Sequence, residues 1–101
     1  MFSFKDYEIL ACREPVDMRK SFSGLLGIIS SGLGNPLSRT LFLFFNKRNN
    51  YLKLMFWDRT GYCLICKKLE RGSFSLPDGE LDLEKLKLIF DGIKLGRSRK
   101  K

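Results

Sequence analysis

Cys63-Leu64-Ile65-Cys66 comes nearest to a reactive centre, because two cysteines at this spacing occur in zinc ribbons and redox motifs. A structural zinc ion takes four nitrogen or sulfur ligands. The chain offers three cysteines, Cys12, Cys63 and Cys66, and no histidine. The pair also falls in a run that reads as a strand, where alternation points positions 63 and 66 to opposite faces. The thiols are therefore read as small buried apolar residues of a reduced, cytoplasmic protein, with no metal or other cofactor. Catalysis has no better footing. There is no histidine for acid–base work, no glycine-rich phosphate loop and no nucleophile elbow. The carboxylates read as helix caps (Asp17, Asp82) or turn residues (Asp58, Asp78), whereas two-metal nucleic-acid chemistry needs acids gathered in one place. The chain is expected not to be an enzyme.

The chemistry that remains is positive charge interleaved with aromatic rings. The formal net charge is +8, which favours polyanions as partners. Between Arg39 and Arg71 eight Lys or Arg stand against Asp58 and Glu70 alone, and the same stretch holds Tyr51, Trp57, Tyr62 and Phe74. Sheets that bind single strands combine such residues, the cations on phosphates and the rings on bases. The candidate nucleic-acid contacts are Arg48, Tyr51, Lys53, Trp57, Arg59, Lys67, Lys68 and Arg71. Arg19 and Lys20 form a second candidate patch. They follow Asp17, a good helix N-cap, and so fall in a first turn where backbone N–H groups suit a phosphate. The plainer alternative is two exposed, solubilising side chains.

These residues need elements to hold them. A chain of 101 residues makes one domain, taken here as residues 1–95 followed by a basic tail at 96–101 that is expected to be disordered. Asp6–Cys12 reads as a strand that Glu14-Pro15 ends. Met18, Phe22, Leu25, Leu26 and Ile29 share one face of a helix stopped by Gly32, Gly34 and Pro36. Three strands follow over Leu41–Phe45, Tyr51–Asp58 and Tyr62–Glu70. Asp82 caps a second helix, which Gly92 and Ile93 close. No apolar run is long enough to span a membrane, and Lys5, Asp6 and Glu8 follow Phe2 and Phe4 too closely for a signal peptide.

Turn chemistry then predicts a register. A type I turn at Asp58–Gly61 with a glycine bulge sets Asp58 opposite Tyr62. Leu52, Leu54 and Phe56 then share a core face with Leu64 and Cys66, and a four-residue loop at Lys47–Asn50 adds Leu41, Leu43 and Phe45. Lys53 falls directly opposite Lys67, a destabilising pair unless the surface receives an anion. The other face also carries Phe42, Phe44, Met55 and Ile65, so a helix could instead cover it and leave the lysines at the rim. A slip of one residue would exchange the faces.

The run from Asp17 to Pro77 resembles a known family. The residues that carry the likeness are Asp17-Met18-Arg19-Lys20, Gly24-Leu25 and Asn35-Pro36, then Leu41-Phe42-Leu43-Phe44 with Asn46 and Leu52-Lys53-Leu54. Trp57-Asp58, Thr60-Gly61-Tyr62, Lys67-Lys68-Leu69-Glu70-Arg71-Gly72, Phe74 and Pro77 complete it. Their order and spacing are similar to the TnpB-type accessory proteins of bacterial insertion sequences of family sixty-six, encoded beside a DDE-type transposase. The resemblance implies a role in transposition and carries over no catalytic residues. The expected fold is α+β, a single antiparallel sheet of four to five strands with two helices packed on it. The expected function is a non-enzymatic accessory factor that contacts element DNA through the basic sheet. The alternative is an adaptor that docks the transposase or a second accessory protein, with Trp57, Phe42 and Phe44 as anchors.

Overall fold

Thr40–Phe45 (β2) is apolar at all but one position, and such a strand must be covered on both faces. In the computed structural model, which describes residues 3–94, all six of its residues are buried. The sheet runs in the order β1 (Glu8–Ala11), β2, β3 (Tyr51–Trp57) and β4 (Tyr62–Lys68). Helix α1 (Phe22–Ile28) runs into a wide final turn at Ile29–Leu33, and α2 is Leu83–Phe90. The α+β architecture is as expected, with one difference of direction. β1 runs parallel to β2, so the sheet is mixed. Parallel neighbours need a crossover of a dozen or more residues, and the connection that contains α1 supplies it.

The two helices lie on opposite faces. Leu86 and Ile89 of α2 pack with Leu41, Leu43, Phe45, Leu52, Leu54 and Phe56. Leu25 and Ile29, from α1 and its final turn, pack with Phe42, Phe44 and Met55. Neither face of the central strands is open to a nucleic acid.

The β2–β3 connection has the predicted four-residue loop, since Phe45 pairs with Leu52 and the Asn46 N–H donates to the Tyr51 carbonyl. The β3–β4 register differs from the expectation by one residue. Trp57, not Asp58, faces Tyr62. The Asp58 N–H donates to the Gly61 carbonyl at 2.7 Å, and the left-handed residue is Arg59 (φ +56°) rather than the glycine. The slip exchanges the faces of β4. Cys63, Ile65 and Lys67 join the α2 side, and Leu64 and Cys66 join the α1 side.

The start of α1 also differs. Asp17 forms its own turn, its carboxylate accepting the Arg19 N–H and its carbonyl accepting the Lys20 N–H. The helix begins later, after Ser21. Helix α2 follows its sequence signals closely. Asp82 accepts the Lys85 N–H at 2.8 Å. Gly92 (φ +78°) closes the far end, with the Ile93 N–H on the Leu88 carbonyl and its own N–H on that of Ile89. The basic tail at 96–101 lies outside the described residues.

Candidate nucleic-acid interface

The ten candidate contacts separate into four groups. Two are internal. Lys53 is 6% exposed, and its ammonium donates to the Lys20 carbonyl at 2.6 Å. Lys67 donates to the Phe90 carbonyl at 2.7 Å and lies over the Phe90 ring, 4.8 Å from its centroid. They do not face each other: Lys53 pairs with Cys66, and Lys67 with Leu52. Each lysine ties one helix to one face. Lys53 holds the approach to α1, and Lys67 caps the carbonyl end of α2, where a cation is favoured by the helix dipole. The predicted anion-receiving lysine pair does not form.

Arg19 is paired with Asp17 at 2.6 Å, with further bonds from its Nε. Those bonds hold the Asp17 carboxyl down at about 2. The pair is exposed and forms part of a turn before α1, so Arg19 and Lys20 do not fall in a first helical turn. Lys20 is exposed, and its carbonyl is the acceptor for Lys53.

Arg48, Tyr51, Lys68 and Arg71 converge at one end of the sheet. The Asn46 side chain organises the loop that carries Arg48, its Oδ1 accepting the N–H groups of both Asn50 and Tyr51 at 3.0 Å. Asn49 turns through a left-handed conformation (φ +56°), which asparagine tolerates better than most residues. The loop is then stitched to the chain leaving β4. Leu69 donates to the Asn50 carbonyl and Phe74 to the Asn49 carbonyl, at 2.8 and 2.6 Å. Arg71 is on the segment between those two bonds, and Lys68 pairs with Tyr51. Lys47 stands in the same loop, exposed, and belongs with this group. It was legible as a turn lysine but not as a neighbour of Arg71. Among the described residues, the charged groups of Lys47, Arg48, Lys68 and Arg71 have no hydrogen-bond or ion-pair partner.

Trp57 and Arg59 are at the opposite end, about 20 Å away along a seven-residue strand. Trp57 meets Tyr62 edge-on at 4.9 Å, and its carbonyl accepts the Tyr7 hydroxyl. Arg59 is exposed at the turn and borders a cleft with Tyr7, Arg39 and Trp57. Tyr7, brought there by pairing of β1 with β2, has no sequence signal marking it, and Arg39 counts in the sequence only as the first cation of the basic stretch. The adaptor alternative loses two of its anchors, since Phe42 and Phe44 are 1% and 0% exposed.

Cys63 and Cys66 point to opposite faces, beside Phe56 and Lys53. None of the three thiols is buried as expected: Cys66 is exposed on the edge strand, and Cys12 and Cys63 are half-buried. Among the described residues no group of three or more His, Cys, Asp or Glu could hold a metal ion, and no helix is long and apolar enough to cross a membrane.

Comparison with known proteins bears on what carries this scaffold. The family described as IS66 Orf2 like protein (TnpB_IS66) matches residues 7–100. The chain is 33% identical over 99 residues to the uncharacterized protein y4jC of Sinorhizobium fredii, covering 92% of this chain and 85% of the relative. It is 38% identical over 65 residues to a second protein of that organism, y4hO, covering 63% of this chain and 56% of that relative. No solved structure matches. The match spans every element of the fold, and the chain belongs to the IS66 Orf2-like family of transposition-associated proteins, generally considered non-catalytic accessory factors.

Proposed function

We propose that this protein acts in transposition by contacting DNA through the basic end of its sheet. Arg48, Lys68 and Arg71, with Lys47 beside them, would neutralise backbone phosphates, and Tyr51 would offer a ring to an exposed base. The observation that supports the reading is the gathering of four unpaired cations on a loop and strand end tied together by backbone hydrogen bonds. With the backbone beneath them already held, these side chains can meet phosphates without the loop first being ordered.

Four phosphate contacts on duplex DNA imply a salt slope near −3.6, so affinity should fall by roughly 100-fold between 50 and 200 mM salt. On single strands the same contacts imply a fall of roughly 50-fold. Fluorescence anisotropy across a salt series, with duplex and single-stranded DNA from the element's ends, measures both. Replacing Arg48, Lys68 and Arg71 together by Gln should flatten the slope and leave the fold intact. Binding that ignores salt, or that survives this triple replacement unchanged, overturns the proposal.

A further inference from the structure

The two edges of the sheet are treated differently. At the β1 edge, Leu81 forms an antiparallel bridge with Ile9, and Arg13 holds the neighbouring segment through the carbonyls of Pro77 and Gly79. At the β4 edge nothing comparable is present among the described residues. The bonds Leu69 N–H to Asn50 O and Asp58 N–H to Gly61 O fix which β4 residues bond to β3. By antiparallel alternation these are Cys63, Ile65 and Lys67, so the N–H and C=O groups of Tyr62, Leu64, Cys66 and Lys68 point outward. An edge without proline, bulge or cover is a template for another strand.

The sequence of that edge selects its occupant. Tyr62–Lys68 is apolar in the middle and charged at one end only. An acidic peptide strand would meet lysine over just two of the seven positions. A second copy laid antiparallel, centred on Ile65, meets something better. Leu64 falls opposite Cys66 of the second copy, Tyr62 opposite its Lys68, and Cys63 opposite its Lys67. No like charges oppose each other, and every residue of the strand is paired. The two Lys68 side chains are then about 20 Å apart, beyond the screening length of about 8 Å at physiological salt. We infer that β4 pairs with β4 of a second copy in this register to make a continuous eight-stranded sheet.

The pairing stands without the DNA reading, but has a consequence that rests on it. In one copy the cluster Arg48, Lys68, Arg71 and the Trp57–Arg59 end are a strand length apart. Antiparallel pairing sets the first cluster of one copy beside the second of the other. Each composite site then holds cations from one chain and Trp57, Tyr62 and Arg59 from its partner.

The test uses the full chain. Sedimentation equilibrium over a range of micromolar concentrations should show a dimer for the native protein. Cys66→Pro, which removes an outward N–H while leaving the bonds to β3 in place, should be monomeric, with an unchanged circular dichroism spectrum. A second measurement does not depend on weakening the edge. With Cys12 and Cys63 replaced by Ser, Leu64→Cys should give a covalent dimer on mild oxidation, because positions 64 and 66 of the two copies are about 5.5 Å apart at Cα. Either cysteine alone, at 64 or at 66, should give none, since its own counterpart lies beyond about 7 Å. A native protein that stays monomeric overturns the inference, as does a dimer that crosslinks equally through Cys66 alone. A monomer whose β4 edge is instead captured by a strand of another protein overturns it too.

Discussion

Replacing Lys53 by Met separates a structural lysine from a DNA-binding one. The side chain keeps most of its apolar stem and loses its ammonium. Lys53 is 6% exposed, and its Nζ is 2.6 Å from the Lys20 carbonyl, next to Ser21, from which α1 starts. A hydrogen bond from a charged group contributes about 1.5–3 kcal/mol. Two effects reduce that figure. The methionine avoids the cost of burying a charge, and water can reach the freed carbonyl because Lys20 is exposed. The expected net loss is about 1–2 kcal/mol. For a domain of this size that corresponds to a fall in Tm of roughly 5–15 °C. Urea unfolding should show a lower midpoint with an unchanged slope. DNA affinity, measured where both proteins are folded, should stay within about twofold. Unchanged stability together with a salt slope reduced by about 0.9 would identify Lys53 as a phosphate contact, and would refute its assignment as a buried tie to α1.

Two further predictions test the contacts that Lys67 and Arg19 make within the chain. Lys67→Met removes the cap on the Phe90 carbonyl and should cost about 1 kcal/mol in urea unfolding, again with DNA affinity unchanged. Carbon-detected NMR should find the Asp17 carboxyl titrating near 2, and rising only part of the way to the ordinary carboxylate value in Arg19→Ala, which removes the guanidinium but keeps the residue-19 N–H on the carboxylate. Because the folded value is depressed, any stabilisation from this pair is complete above about pH 4 and is lost as pH falls through about 2.

The parts of the fold legible in the sequence were those fixed by local chemistry. Asp82 and Gly92 delimit α2 because a carboxylate that takes a first-turn N–H and a glycine that turns left-handed act within a few residues. The Lys47–Asn50 loop was legible for a similar reason, although the Asn46 side chain that braces it was not foreseen. The β3–β4 turn failed on one dihedral. Gly61 is the residue a turn rule places in the left-handed region, yet Arg59 occupies it. That single exchange moved Lys67 and both cysteines to the opposite faces. The direction of β1 and the neighbours it brings to Trp57 depend on a crossover, and no local pattern encodes it.

A lysine's reach hides the role of two candidate residues from the sequence. In a strand, Lys53 and Lys67 read as solvent-facing because lysine is rarely buried. Its aliphatic stem can nevertheless lie along a core while its ammonium finds an acceptor at the rim, and here each acceptor is the backbone carbonyl of a residue at a helix boundary. Arg19 is likewise matched by Asp17. The formal charge of +8 therefore overstates the cations free to meet a polyanion. Those that remain free in the sheet region are at its two ends rather than on a face, because α1 and α2 cover both faces. A ligand recognised by such a surface has to run along the rim, or bridge ends about 20 Å apart. Pairing of two β4 edges would bring those ends together without moving any element of the fold.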